Sequence, residues 1–488
     1  MYFSPKYVSF SFSDFRSIKS MNRRCQGIMN KRNAFIIGLI ALLLFLSGCG
    51  KSGETTGAGG SGGAGSAASA SGSGGGSEGD GGQKPVTLRV LRAGITVTKA
   101  EFDHYFVEPI REKYPHITLE WVEAPEDVEL EPFITQGNVP DIIIAATTAA
   151  TSDYERLDLV EDLTPYVEKY NVDLSRLKPV VLDTIRTYSP EGKLSVLPLS
   201  LNLPVLFYNK EIFEKFGVPY PKDEQMTWDE VIELGRQVTR TDGGVNYIGF
   251  DVNGANNIAS GLDLTILDPA TGEPTLTTNP GWTKVFNVLK KSFEVPGYIG
   301  PDGRYQYAND DDIFFNEQNL AMLAFNLAHL VGPLEELRQQ GIEIDWDMAP
   351  FPNFEENLGT NRATNVHGVF IAKTSKHKDE AFQVIANLLT DEVQERLART
   401  GRVPSVENKD LEKLYGADIP VLHGKKIENI FKTEPRRVVK PHEFEPDVRK
   451  FVNEATKRMA LEGIDVNTAL REAQEAIEKE VRTLRATR

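Results

Sequence analysis

The apolar positions of this chain change period along its length, and the changes mark out its elements. Residues 86–94, VTLRVLRAG, alternate apolar and polar and end in glycine, which predicts a strand. Over residues 100–115 the apolar Phe102, Phe106, Ile110 and Tyr114 recur every fourth position, a helical face that stops at Pro115. ITLEWVEA, 117–124, alternates again. PDIIIAA, 140–146, is an unbroken apolar run, as expected of a strand covered on both faces. This β-α-β-α-β order predicts an α/β domain with a largely parallel sheet.

Farther along, MTWDEVIELGRQVTR predicts a helix capped by Thr227, with Glu230 three residues on completing a capping box. YIGFDV, 247–252, reads as another strand, and DIFFNEQNLAMLAFN as a helix running into an apolar strand. WDMAPFP and VHGVFIAK read as strands, and KDEAFQVIANLLTDEVQERLART as an amphipathic helical pair. Residues 445–488 read as helix with acidic and basic residues on the exposed face, and the chain has no internal repeats.

The N-terminal part follows a different logic. The apolar run 34–46 is 13 residues long, short of the ~18–20 that span a bilayer. Lys31 and Arg32 precede it and Ser47 and Gly48 close it, the grammar of a secretory signal. The ending LSGC resembles the lipobox of bacterial lipoproteins. That resemblance implies that Cys49 receives a diacylglyceryl group and becomes the mature N-terminus. Residues 1–28 exceed a normal n-region, so an over-long gene start is expected, with Met21 and Met29 as alternatives to Met1. Cys25 would then be removed with the signal, leaving Cys49 as the only cysteine and no internal disulfide. Residues 1–48 are thus expected to be signal, and 49–85 the lipidated cysteine with a flexible linker. The Gly, Ser and Ala of that linker bury too little apolar surface to order it. As a coil its 35 residues from 50 to 84 reach roughly 30–35 Å r.m.s.. GAGGSGG inside it has no preceding strand or following helix, so it is not a phosphate loop.

Composition narrows the partners. The chain of 488 residues carries Lys+Arg 54 against Asp+Glu 70. Loss of residues 1–48 removes seven basic residues and one acidic, leaving 47 against 69 and a net −22. Such a balance argues against nucleic acid, which needs a basic footprint. About 400 residues remain after the linker, enough for two ordinary domains.

PDIIIA, LVEDLTPYV, LPLSLNLPVLFYNKEIFEKFGV, MTWDEVIELGRQVTR, LAMLAFN and VFIAKTSKHKDEAFQVIANLLTDEVQERL occur in this order. Together they resemble the extracellular solute-binding proteins of ABC importers, the family that includes maltose-binding protein. The resemblance extends from residue 86 to the C-terminus. It implies a two-lobed α/β fold of the periplasmic-binding-protein type II class, with a hinge between the lobes. Lobe one is expected over 86–204 and 366–416, lobe two over 205–365 and 417–488. The implied function is capture of a small solute, a saccharide first, by hinge closure and its delivery to a membrane permease. No cofactor is implied, since ATP hydrolysis belongs to the transporter. The expected protein is a monomer held by its lipid on the outer face of the cell membrane, as a Gram-positive-type surface lipoprotein.

Carried over by position, the ligand contacts fall in loops at strand ends, where open α/β sheets bind ligands. They are Arg92, Gly94, Ile95 and Thr96 after the first strand, Ala145, Ala146 and Thr147 after PDIII, and Ser200 and Asn202 in the run that follows. GFDVNGANN contributes Asp251, Asn253, Asn256 and Asn257, and LAFNLAH contributes Phe325, Asn326 and His329. NVHG contributes Asn365 and His367, and the C-terminal segment His442, Glu443 and Phe444. Asp, Asn and Arg suit the paired donors and acceptors of a polyol. Each residue also has a plainer reading. DVNGANN has the composition of a turn, Arg92 that of a solvated strand-end charge, and Phe325 that of core, while His329 and His367 suit structural histidines. The four tryptophans, Trp121, Trp228, Trp282 and Trp346, fall at framework positions, so a stacking platform would have to be Phe325 or Phe444.

An anchored enzyme is the main rival from another class. The sequence has no nucleophile elbow, zinc motif or phosphate loop, and its seven histidines lack ligand spacing. Asp310 and Asp312 fit an acidic loop before a helix better than a catalytic pair. A receptor reporting to a sensor kinase, or one for a peptide, polyamine or metal complex, would share the fold and stays open.

Overall fold

The structure, a computed structural model, describes residues 84–93, 95, 97–123, 140–146, 154, 158–307, 312–363 and 365–487. The expected signal, Cys49 and nearly all of the linker lie outside the described residues, as do Gly94, Thr96, Thr147 and Asp310.

Strands β1 (Val86–Ala93), β2 (Ile117–Glu123), β3 (Ile142–Ala146) and β4 (Leu197–Leu201) form first. The chain then runs through Asn202 and Leu203 into β5 (Pro204–Asn209), an exposed hairpin of β6 (Arg240–Asp242) and β7 (Val245–Tyr247), then β8 (Met322–Asn326) and β9 (Trp346–Pro350). From β10 (Thr360–Ala363) it returns through Asn365 to β11 (Val366–Ile371) and β12 (Val403–Pro404), and β13 (Glu434–Arg436) pairs with β10.

One lobe is built on six strands in the order β12-β4-β11-β3-β1-β2, the other on three in the order β8-β5-β9. In the larger sheet β1 runs parallel to β2 and β3, but β11 is antiparallel to β3 and to β4, and β12 to β4. The sheet is therefore mixed where a largely parallel one was expected. The cause is topological. β11 comes back from the other lobe and enters the sheet at the end where β4 leaves it, so it must run the opposite way. Its register sets Val366 against Leu201 and His367 against Ala146. Through β1 the same edge gathers Ala93, opposite Ala145. In the smaller sheet Pro204 lies opposite Asn326, and Val205 opposite Pro350 and Phe325. Both sheets thus turn strand ends toward the segments that connect them.

Local chemistry explains most of the elements. The run IIIAA makes β3 because nearly every side chain in it is buried. Thr227 and Glu230 form the expected capping box at the helix Trp228–Val238. KDEAFQVIANLLTDEVQERLART gives two helices, Lys378–Asn387 and Asp391–Arg399, the second capped by Thr390. The expected helix after β1 forms, but through a π-helical turn at Asp103–Val107. The C-terminal helix is two, Glu445–Glu462 and Val466–Thr487, divided at Gly463 with φ +71°.

The strand expected over 247–252 does not continue past Tyr247. Ile248 and Asp251 make only single bridges, to Leu320 and Leu323. Between them Gly249 lies against the helix Trp228–Val238, where an added Cβ would stand 1.9 Å from the Gly235 carbonyl oxygen. Its N–H donates to Thr239 Oγ1 at 2.9 Å instead of to a neighbouring strand. Replacing Gly249 with alanine must push helix and segment apart. The expected loss is about 1–3 kcal/mol or more, read as a lower unfolding midpoint in urea.

Candidate functional site

Where the two connections run side by side, the backbone N–H of Asn202 donates to the Asn365 carbonyl at 2.9 Å. Asn202 Oδ1 in turn accepts from the Ala328 N–H at 3.1 Å, so its buried side chain caps the helix Leu327–Gln339. Asn202 is therefore built into the connection itself.

On the side of the smaller sheet, Arg362 of β10 is the central group. Its Nη1 donates to Asn257 Oδ1 and its Nη2 to Asn326 Oδ1. Asn257 is held by bonds from its Nδ2 to the carbonyls of Val252, 2.7 Å, and Ala324, 3.4 Å. The guanidinium lies 5.7 Å from the centroid of the Phe351 ring. Arg362 is half-buried, yet so deep among neighbours that loss of water pulls its guanidinium down to about 10. Beside it His329 meets Phe325 edge-on at 4.8 Å, and its buried Nδ1 has no hydrogen-bond partner. Burial, helped by the charges of Arg362 and Arg402, brings the His329 imidazole down to about 4.

On the side of the larger sheet the corresponding group is Arg402, just before β12. It is clamped by Glu101, with Nε–Oε1 at 2.7 Å and Nη2–Oε2 at 2.9 Å. Its Nη1 lies 3.3 Å from His367 Nδ1, and that nitrogen lies 3.5 Å from Ser200 Oγ. His367 is 3% exposed, and burial together with the nearby Arg402 and His329 holds it neutral, well below its ordinary value. Burial pushes the Glu101 carboxyl up, but Arg402 and the Thr98 cap outweigh it and leave it lowered. Because both guanidiniums act on His329, the two clusters share one electrostatic neighbourhood.

The expected contact residues divide on this geometry. Asn326 and Asn257 meet around Arg362, with His329 and Phe325 alongside, and His367 meets Ser200 and Arg402. Asn256 is half-buried on the same short helix as Asn257. Others serve the framework. Asp251 is 2% exposed, and its carboxylate accepts from the N–H groups of Asn253, at 2.6 Å, and of Tyr307. Asn253 takes φ +58°, which asparagine tolerates, and starts the helix Gly254–Ala259. Arg92 pairs with Glu123 on the adjacent strand at 3.3 Å and donates to the Ile95 carbonyl at 3.1 Å. Phe444 is 6% exposed and packs edge-on against His442 at the start of the helix Glu445–Glu462. Phe325, 9% exposed, offers little face for stacking. Trp228, Trp282 and Trp346 are buried and Trp121 packs on Phe102 at 4.6 Å, all framework roles.

Arg362, Arg402 and Glu101 were not among the residues expected from sequence. A lone arginine in NRAT or TGRVP has the look of a surface charge. The only signal was place, since Arg362 lies three residues before NVHG and Arg402 directly precedes a short strand.

A two-lobed α/β fold with polar residues gathered where the lobes connect fits a ligand-binding protein. The chain belongs to the bacterial extracellular solute-binding proteins, whose family model matches residues 97–395. That family binds solutes and is not one of enzymes. A putative binding protein of Brucella abortus is 25% identical over 294 residues, 56% of this chain and 64% of that protein, so the match spans just under two thirds of the relative. The sugar-binding protein MalE of Xanthomonas citri shares the fold with a TM-score of 0.63 at 20% identity, over 83% of this chain and 100% of that one. An ABC substrate-binding protein of Listeria monocytogenes, solved with cycloalternan, gives 0.62 at 19% identity, over 82% and 99%.

The buried imidazole of His329 makes a pH prediction. Its folded value, about 4, lies below the unfolded value near 6.5, so the unfolded chain binds more protons between the two. Stability should therefore fall as pH drops from 6.5 to about 4. In a His329→Gln variant that part of the decline should be shallower, measured as melting temperature against pH.

Proposed function

We propose that this protein is the lipid-anchored receptor of an ABC importer, which captures a small saccharide between its lobes and hands it to a membrane permease. The observation that carries the reading is the juxtaposition of two polar clusters, one at each sheet edge, across a paired connection. A solute touching both clusters stabilises the closed arrangement over the open one, and that differential affinity is what drives closure. The saccharide reading draws support from the sugar named for the Listeria structure and the sugar-binding role named for the Xanthomonas one, both at low identity.

In this reading the lobes comprise 86–204 with 366–416 and 205–365 with 417–488. Two bonds support a third connection close to the last boundary. Asp418 N–H reaches the Arg399 carbonyl at 2.9 Å on one side, and Val421 N–H reaches Glu335 Oε2 at 3.0 Å on the other. Asn326, Asn256 and Arg362 are the contacts this reading favours, and His367, 3% exposed, would meet the solute only through a small part of its ring. Thr96 and Thr147, outside the described residues, stay in this reading as proposed contacts. Cys49 would carry the lipid, and the linker after it would let the lobes reach a permease while held at the membrane.

A thermal-shift screen against mono- and oligosaccharides tests the cargo. At 100 times its Kd a true ligand adds about 2.7 kcal/mol of stability, and a screen in which only amines or peptides raise the melt would remove the saccharide. The anchor is tested separately. Cys49→Ser should move the protein from the membrane fraction to the soluble fraction of the host cell, and unchanged fractionation would remove the lipid.

A further inference from the structure

The guanidiniums around the connection are not alike in their partners. Arg402 has Glu101, Arg92 has Glu123, and Arg436 has Asp263 in a two-pronged pair. Arg362 has only two side-chain amide oxygens and the face of Phe351, and no carboxylate among the described residues. A desolvated cation without a counter-charge is costly, and chains seldom keep one unless something compensates it. The surroundings do not relieve the cost. His329 and His367 are held neutral, and the carboxylate in this neighbourhood, Glu101, is already paired with Arg402.

The arrangement also fixes which way Arg362 faces. Guanidinium has five N–H donors in one plane, and Asn257 and Asn326 take one from each terminal nitrogen. Asn257 cannot turn away without losing its own bonds to Val252 and Ala324. Three donors remain, on a residue that is half-buried as a whole. A rigidly held guanidinium with donors to spare matches the planar oxygens of a carboxylate or two oxygens of a phosphate. A neutral hydroxyl would use the donors but leave the charge uncompensated.

We propose that the solute bears an oxyanion on its sugar, as in a uronic acid or a sugar phosphate, and that Arg362 receives it as the specificity-determining contact. This rests on the saccharide-receptor reading and sharpens it. The acidic chain as a whole repels anions, so Arg362 supplies local attraction against that background.

The test is calorimetric titration of the protein with matched pairs that differ only in their acidic groups. Galacturonate, glucuronate and mannuronate disaccharides are set against their neutral hexose counterparts, and glucose 1-phosphate and 6-phosphate against glucose. At least one acidic sugar should bind about 10-fold or more tighter than its neutral match, and which series responds separates carboxylate from phosphate. Arg362→Gln should bring that pair to within about 3-fold, whereas Arg362→Lys, which keeps the charge and loses the fork, should keep the preference at weaker affinity. The lysine variant and the unmodified protein keep the test valid if the glutamine variant does not fold. A neutral sugar binding as tightly as its acidic match, or a preference unchanged in Arg362→Gln, overturns the inference and leaves the saccharide receptor standing. Failure of every saccharide, acidic and neutral, overturns both.

Discussion

One backbone hydrogen bond, from Asn202 N–H to the Asn365 carbonyl, stands at the point where the chain leaves one sheet and the point where it returns. Because the two passages are adjacent, β4 and β11 must be neighbours and must run in opposite directions. That requirement makes the larger sheet mixed. It also brings the ends of β1, β3 and β4 to one edge and the ends of β8 and β9 to the edge facing it. The polar groups follow from this placement. Ser200 and His367 flank the passages on one side, Asn326 and Arg362 on the other, and each is where it is because its strand ends or begins at the crossing.

The clusters differ in how they handle charge. Around Arg402 the positive charge is answered within the protein by a buried, two-pronged carboxylate pair. Such pairs hold geometry more than they add stability, and breaking one costs more than making it gains. Glu101 comes from the helix after β1 and Arg402 from the far end of the same lobe, so the pair pins parts of the chain 301 residues apart. Around Arg362 the charge is oriented by neutral amides and left open. One cluster is rigid and neutralised within the protein, and the other holds an oriented cation with no carboxylate partner among the described residues.

Much of this was readable from sequence wherever one residue type decides one local outcome. The IIIAA run could hardly be anything but a buried strand, and Thr227 with Glu230 marked a helix start. Sequence misled where a distant backbone mattered. YIGFDV alternates like a strand, but the close approach of Gly249 to Gly235 ends the ladder. Asp251 sits in a stretch with the polarity of a binding loop, yet its carboxylate is consumed by two backbone N–H groups. Arg362 and Arg402 escaped notice because a single arginine carries no pattern. Their meaning comes from partners such as Asn257 and Glu101, more than a hundred residues away in sequence, that only the fold brings within reach.

The insertion of β11 between β4 and β3 sets the order in which this molecule can be completed. While the chain emerges from its export channel, β1 to β4 exist long before residue 366 appears. Until then β3 and β4, both buried in the finished sheet, each have an edge with unpaired backbone groups, the kind of margin that recruits other chains. The half-made lobe must wait for the whole smaller lobe to be threaded before its missing rung arrives. Completion of this lobe therefore carries an interval of exposure that a lobe encoded in one continuous stretch would not have.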